Sequence, residues 1–283
     1  MKKILFALFS CLVFSSSHAF AQTAYNGHWY DPEQSGRGMN VDHQNGVMVV
    51  DFYGYNTDGT AQWHQAAGKT VFDDETKEIT FSAALLRYQN GQCLTCDYSG
   101  TPQPDGDDGK INITFPTPTR ALVTLPSGKT ATMIPYYFGI ARGVMGMQGV
   151  WVFTYLKDGE ILYATPHFNL AYSEDGLDFL YSSDKRFMCF TVTDTTDDLM
   201  FCMEEVDKKR VTFFKAYLGP DKTYYGEVSS NQDFTSSGWF TGFRRSWQNK
   251  HDKSQFSLET TSAGFSSLPR DEIKMLAKTL TRK

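Results

Sequence analysis

The densest set of chemically useful side chains lies in segment 38–67, where aromatic, amide, carboxylate and imidazole groups alternate with apolar residues. Two turn signals, Asn45-Gly46 and Asp58-Gly59, divide this segment into three predicted strands. Side chains alternate between the two faces of a strand, so a two-residue turn at each signal fixes which residues share a face. One predicted face is apolar and carries Met39, Val41, Met48, Val50, Phe52 and Trp63. The other predicted face carries Asn40, Asp42, Val49, Asp51, Tyr53, Tyr55, Gln62 and His64.

The second face could bind a small ligand if it lines a cleft or a barrel lumen. The two turns predict that Asn40 faces Asp51 and that Tyr53 faces His64. In a cleft, Asp51 would be desolvated, and Tyr53 and His64 would hydrogen-bond to the ligand or stack on it. In open solvent, the same residues would form an ordinary sheet surface. The candidate ligand-binding residues are therefore Asn40, Asp42, Asp51, Tyr53 and His64, with both interpretations left open.

Signals for catalysis and for metal binding are weaker. The chain contains no GxSxG elbow and no HExxH motif that would organise its histidines. Asp42 and Asp51 occupy diagonal positions on neighbouring predicted strands, which permits the carboxylate spacing of a glycosidase, but so would any acidic strand pair. The acidic run 104–109 could hold calcium, yet it lacks the ligand spacing of a known loop, and a solvated turn is the simpler interpretation. We expect no catalytic residue, no metal site and no cofactor.

Four cysteines follow the first 21 residues, and an even number in an exported chain is typical of disulfides. Cys93 and Cys96 follow a turn and do not open a helix, so a loop disulfide is favoured over a redox pair. A zinc site would need two more ligands, and none lies nearby in the sequence. Cys189 and Cys202 lie in successive predicted strands, where a cross-strand disulfide is expected.

Residues 1–21 have the order of a secretory signal peptide. Lys2 and Lys3 precede an apolar run over 4–14, and an Ala-x-Ala site ends at Ala21. We expect cleavage before Gln22 and a periplasmic or secreted product. The apolar run is about half the ~20 residues that cross a bilayer, so no transmembrane anchor is expected. The residues before Cys11 resemble a lipoprotein box, but Phe9 fits it poorly, and we expect no lipid anchor.

Short runs rich in Val, Ile, Thr, Tyr and Phe alternate with glycine turns along most of the chain, which is typical of antiparallel meanders. Seven strands are predicted between residues 38 and 138, and eight between 149 and 246. The predicted fold is all-β, with two antiparallel meander barrels or sandwiches in tandem and a short C-terminal helix. The predicted domains are 25–142 and 147–248, separated near the glycine cluster 143–149 and followed by a polar, basic tail at 249–283.

One aromatic hairpin motif occurs once in each predicted half. Tyr55, Asp58, Gly59 and Trp63 in the first half have the same spacing as Tyr155, Asp158, Gly159 and Tyr163 in the second. Since such a motif is common among β proteins, a true internal repeat and a coincidence are both compatible with it.

The charge of the chain limits its partners. A formal net charge of −5 argues against nucleic acid, whose phosphates require a basic surface. The tail at 249–283 is more basic, and a solvated tail is a simpler interpretation than a docking site. Within it, Pro269 begins a predicted helix whose Ile273, Leu276 and Leu280 share one face. We expect this stripe to pack on the wall of a barrel.

Two spaced motifs carry a family resemblance. They are Gly-His-Trp-Tyr-Asp-Pro-x-x-Ser-Gly-x-Gly at 27–38 and Asp-Phe-Tyr-Gly-Tyr-x-x-Asp-Gly-x-x-x-Trp at 51–63. With the runs at 109–115 and 121–128, they resemble an uncharacterised, aromatic-rich β-module of exported bacterial proteins over about residues 26–140. The resemblance implies a small antiparallel barrel or sandwich and supplies no catalytic residues. The chain departs from that pattern at Asp51, Gly54 and Ala61, where the module favours an aromatic residue, Thr and Pro.

Three functional hypotheses follow. The first is a non-catalytic envelope module that binds a ligand or partner, either a small molecule, a glycan or another envelope protein. The second is a structural or assembly protein of the envelope that makes contact through the basic tail. The third is a glycan-directed hydrolase that uses carboxylates or His64. Export, paired cysteines and aromatic strands without a catalytic motif favour the first.

Overall fold

The computed structural model describes residues 23–98, 100–174, 177–191, 198–207, 210–235, 237–247 and 257–258. It confirms the predicted all-β fold, because the described residues form two sheets and one short 3-10 turn. The predicted signal peptide, Cys11 and the predicted C-terminal helix lie outside these residues. Within the described ranges, no helix is long and apolar enough to cross a membrane.

The first sheet is a closed barrel of eight antiparallel strands in sequence order. They are β1 (Gly27–Tyr30), β2 (Gly38–Gln44), β3 (Val47–Tyr55), β4 (Ala61–Phe72), β5 (Ile79–Gln89), β6 (Gln103–Thr117), β7 (Arg120–Thr124) and β8 (Thr130–Pro135). Pairing of β1 with β8 closes the barrel. The sequence did not predict β1, because four residues are too few to display alternation.

Apolar side chains from every strand of the first barrel fill its interior. Trp29, Phe81 and Phe115 are among the largest of these side chains and are fully buried. The burial pattern of β2 and β3 alternates, as expected for strands with one packed face. Of the six predicted apolar residues, Met39, Val41, Met48, Val50 and Phe52 belong to this core. The prediction is wrong for Trp63, which is 45% exposed. The interior of the first barrel is therefore a packed core and not an open lumen.

The second sheet has ten strands. They are β9 (Gly149–Lys157), β10 (Glu160–Ala164), β11 (His167–Glu174), β12 (Leu177–Ser182), β13 (Phe187–Thr191), β14 (Leu199–Asp207), β15 (Arg210–Leu218), β16 (Thr223–Ser229), β17 (Ser237–Trp247) and β18 (Ser257–Leu258). An additional pairing of β9 with β11 joins the two sides, so that β9 and β11–β17 form a second ring. The strand β18 lies parallel to β11, outside this ring.

Aromatic residues dominate the interior of the second ring. Phe153 lies within 4.9–6.4 Å, between ring centroids, of Trp151, Phe168, Phe187, Phe214 and Phe240. The 3-10 turn Val144–Met147 packs against β12 and β13, and its two end residues belong to the same core. This turn lies in the glycine cluster predicted to separate two domains. The division of the chain into those domains stays a prediction.

Candidate functional site

The hairpin of β2 and β3 has the predicted register. Asn45 and Gly46 both have positive φ, at 48° and 74°, which is the conformation of a two-residue hairpin turn. Asn40 consequently pairs with Asp51, and Asp42 pairs with Val49. The outward positions of both strands are therefore those that the sequence predicted.

The register predicted for β3 and β4 is wrong by one residue. Asp58-Gly59 lies inside a five-residue loop, Asn56–Thr60. A hydrogen bond of 2.9 Å from the Asn56 amide to the Thr60 carbonyl closes this loop. The side chain of Asp58 stabilises this loop by accepting bonds from the amide and hydroxyl of Thr60, at 3.0 and 2.6 Å. Because a one-residue slip moves every side chain to the other face, His64 pairs with Phe52 and not with Tyr53.

The corrected register assembles an outer face that the sequence described only in part. Tyr53 pairs with Trp63, and Asp51 pairs with Gln65. Trp63 stacks on Tyr88 of β5, with ring centroids 5.6 Å apart and planes 16° apart. Tyr53, Trp63 and Tyr88 thus form a row of aromatic rings across three strands, which we call the aromatic row. Tyr53 and Trp63 are 46% and 45% exposed.

A polar row lies directly beside the aromatic row. It consists of Asn40, Asp51 and Gln65 on β2, β3 and β4. The Gln65 amide donates a hydrogen bond of 3.0 Å to Oδ1 of Asp51, while Asn40 and Asp51 are half-buried. A carboxylate has about four acceptor positions, so Asp51 keeps acceptor capacity for a ligand. Three of the five predicted ligand-binding residues, Asn40, Asp51 and Tyr53, therefore lie together.

His64, the fourth predicted residue, points to the barrel side of β4. Its Nε2 lies 2.7 Å from a carboxylate oxygen of Asp108, and Nε of Arg87 lies 3.1 Å from the other oxygen. Within the described residues, His64 hydrogen-bonds to no serine, threonine or cysteine that could act as a nucleophile. Sequence reasoning missed Arg87 and Asp108, because Asp108 is 44 residues from His64 and no local pattern links them.

The remaining acidic candidates do not gather into a catalytic or metal site. Asp42, the fifth predicted residue, is exposed and accepts two hydrogen bonds from Gln44, at 2.9 and 3.0 Å. The run 104–109, interpreted as a solvated turn, lies instead within β6, paired with β5. In the part of the chain that the structure describes, no group of three His, Cys, Asp or Glu residues could hold a metal ion.

Both predicted disulfides are present. Cys93–Cys96 closes a short exposed loop between β5 and β6, with a Cα–Cα distance of 5.5 Å. Cys189–Cys202 joins residues that are directly opposite each other on β13 and β14, and both cysteines lie in the second core. The predictions of a loop disulfide and a cross-strand disulfide are confirmed.

A cavity of about 730 Å³ lies where the first barrel meets the second ring. Phe72 and Lys77, beside the β4–β5 turn, line one side, and Lys215, Tyr217 and Tyr225 line the other. Lys215 forms an ion pair of 3.1 Å with Glu227. Sequence reasoning missed this cavity, because Lys77 and Lys215, on its opposite sides, are 138 residues apart.

Comparison of the chain with protein-family models, curated proteins and solved structures found no match. The resemblance of residues 26–140 to a module of exported bacterial proteins therefore stays a prediction.

Proposed function

We propose that this protein is an exported, non-catalytic module that binds a glycan on the outer surface of its first barrel. The observation that carries the proposal is the aromatic row Tyr53–Trp63–Tyr88 lying beside the polar row Asn40–Asp51–Gln65. Exposed aromatic side chains in a contiguous group mark a binding surface more often than isolated ones do.

The chemistry of the two rows matches a β-linked pyranose chain. Such a chain has flat faces of C–H groups, which pack on aromatic rings, and a rim of equatorial hydroxyls. The hydroxyls can donate to the free acceptor positions of Asp51 and accept from the amides of Asn40 and Gln65. Three neighbouring strands span about 10 Å, which accommodates two adjacent sugar rings.

Two arrangements support binding without catalysis. His64 faces away from the aromatic row, so its imidazole cannot reach a ligand bound there. Asp51 accepts from Gln65, and Asp42 accepts from Gln44, so each carboxylate is held by an amide donor. Neither arrangement places a serine, threonine or cysteine beside a general base, the pairing that activates these residues as nucleophiles.

An envelope location is supported by two further features. The described residues contain two disulfides, which persist in oxidising compartments such as the bacterial periplasm. The order of charged, apolar and small residues in 1–21 is that of an export signal. We also propose that residues 26–140 are related to the exported bacterial module that they resemble.

The test is calorimetric titration of the purified chain with two probes, chitotetraose and cellotetraose. At least one should bind, and Trp63→Ala should weaken that binding about tenfold or more, as removal of a central aromatic contact does. His64→Ala is the matched control, because it changes the neighbouring residue on the opposite face and should leave the affinity unchanged. Absence of binding to both probes, or equal affinity of the Trp63→Ala variant, would overturn the proposal.

A further inference from the structure

The second ring carries an apolar cluster on its outer side, in addition to the aromatic core inside it. Its first row is Tyr172, Phe179, Phe190 and Phe201, each paired with the next across β11–β14. Its second row is Tyr181, Met188, Met203 and Phe213, paired in the same way across β12–β15. We call these eight residues the outer phenylalanine face.

Alternation along the strands separates this face from the interior. In β13, Phe187 and Cys189 belong to the inner core, whereas Met188 and Phe190 belong to the outer cluster. The rings of Phe190 and Phe201 stack with centroids 5.5 Å apart. The two clusters are therefore on opposite sides of one sheet.

Five residues of the outer phenylalanine face are buried, and Tyr172, Tyr181 and Phe213 are partly buried. Phe190 is 0% exposed and Phe201 is 4% exposed, although both point away from the ring. Among the described elements, β12, β13 and β14 have their principal contacts with neighbouring strands and with the 3-10 turn, whose Val144 and Met147 join the inner core. These contacts lie within the sheet or on its inner side, so they do not account for the burial of the outer face.

We propose that segment 259–283 of the same chain docks on the outer phenylalanine face through Ile273, Leu276 and Leu280. The strand β18 brings the chain to this face, because Ser257 and Leu258 pair with Leu170 and Ala171, next to Tyr172. The segment therefore begins at the edge of the apolar surface.

The length and pattern of the segment fit this surface. Residues 259–268 can span up to about 33 Å, which is enough to cross the face. A helix over 270–282 would be about 20 Å long, whereas a row across four strands is about 14 Å. At 100° per residue, Ile273, Leu276 and Leu280 cluster on one side of such a helix, and Lys274, Lys278 and Arg282 lie on the opposite side. The apolar side would meet the sheet and the basic side would meet water.

Photo-crosslinking in the full-length chain tests this directly. A benzoylphenylalanine in place of Tyr181 should form an intrachain crosslink to a peptide within 259–283, in a species of monomer mass. The same group in place of Ile161, which is 67% exposed on β10, is the control and should not reach that segment. A crosslink from position 181 to a second chain would show that a second copy covers the face. That result, or the lack of any crosslink to 259–283, would overturn the proposal.

A matched pair of variants gives a second measurement. Ile273→Gln with Leu276→Gln should uncover the face and raise the fluorescence of a bound hydrophobic dye several-fold. Lys274→Gln with Lys278→Gln changes the same stretch on its other side and should leave the fluorescence at the wild-type value. Equal dye binding by the two variants, with circular dichroism confirming folded β-structure, would contradict docking through the apolar stripe.

Discussion

The guanidinium of Arg142 donates two hydrogen bonds to the carboxylate of Asp198, from Nε at 3.2 Å and from Nη2 at 2.5 Å. Arg142 lies in the segment between β8 and β9. Asp198 directly precedes β14, and its side chain is buried. The hydroxyl of Tyr137 lies 3.2 Å from the same carboxylate. Burial, aided by the charge of Asp198, raises the pKa of Tyr137 and keeps it protonated. This network ties the connecting segment to the second ring.

Removal of the guanidinium should destabilise the protein, because it takes a charged hydrogen-bond donor away from the buried carboxylate of Asp198. We expect Arg142→Met to lower the free energy of unfolding by about 3 kcal/mol, measured by urea denaturation at pH 7. Arg210→Met is the matched control, because Arg210 pairs with Asp207 at 2.6 Å on the surface. It should cost less than about 1 kcal/mol. Equal costs for the two variants would contradict a buried role for Arg142.

The two disulfides should contribute unequally. Cys189 and Cys202 are 13 residues apart, and the chain-entropy relation gives about 3 kcal/mol for a loop of that size. Cys93 and Cys96 are three residues apart, for which the same relation gives about 2 kcal/mol. We expect Cys189→Ala with Cys202→Ala to be the more destabilising pair in urea denaturation. A larger loss from the Cys93→Ala with Cys96→Ala variant would refute this ranking.

Stability should depend on pH through His43, which is buried on the barrel side of β2. Burial lowers the pKa of His43 below its ordinary value of 6.5, although the charge of Asp42 opposes the shift. Nε2 of His43 lies 3.1 Å from the Thr70 hydroxyl, and Nδ1 has no hydrogen-bond partner among the described residues. The folded state therefore favours neutral imidazole.

The sign of the effect follows from the lowered pKa. The contribution of His43 is complete above about pH 6.5, and it is lost as the pH falls from there through the folded-state pKa. We expect the difference in unfolding free energy between pH 7.5 and pH 5.5 to shrink in the His43→Leu variant. His28→Gln, a change at an exposed histidine, should leave that difference unchanged. An undiminished difference in His43→Leu would show that another group is responsible.

Close approach of β17 to β9 should make Gly238 intolerant of a side chain. A Cβ at Gly238 would overlap the backbone oxygen of Leu156, whereas a Cβ at Gly54 would meet nothing within 4 Å. We expect Gly238→Ala to cost about 3 kcal/mol, because backbone cannot yield as a flexible side chain does. Gly54→Ala, also within a strand, should be neutral or stabilising by up to about 1 kcal/mol. Thermal unfolding of both variants tests this, and similar midpoints would contradict it.

The sequence predicts the β2–β3 hairpin correctly because Asn45-Gly46 supplies both positive-φ residues of the tightest turn. It does not predict the β3–β4 register, because the bonds that Asp58 makes with Thr60 extend the loop. The hydrogen bonds of the Asp58 carboxylate therefore decide which face of the sheet His64 occupies. The dipeptide Asp58-Gly59 alone does not show whether the chain forms a two-residue turn or a longer loop.

The repeated hairpin motif shows the same limit. Asp158-Gly159 forms a two-residue turn, with Lys157 paired with Glu160, whereas Asp58-Gly59 lies in a longer loop. Tyr155 is buried in the second core, whereas Tyr55 is exposed. Identical spacing thus produced two hairpins with different inward residues. The aromatic row also includes Tyr88, which stacks on Trp63. Tyr88 lies on β5, and no local sequence pattern predicts that it contacts Trp63.

Each ring is completed by only two residue pairs. In the first, Trp29 and Tyr30 meet Pro135 and Ile134, and in the second, His167 and Phe168 meet Val150 and Gly149. Apart from β1 with β8, the paired strands of the first barrel are neighbours in the sequence, so their contacts can form locally. The seam between β1 and β8 should consequently be the last contact of the first barrel to form and the first to open. Amide protons at this seam would then exchange with solvent while the rest of the first barrel is still protected.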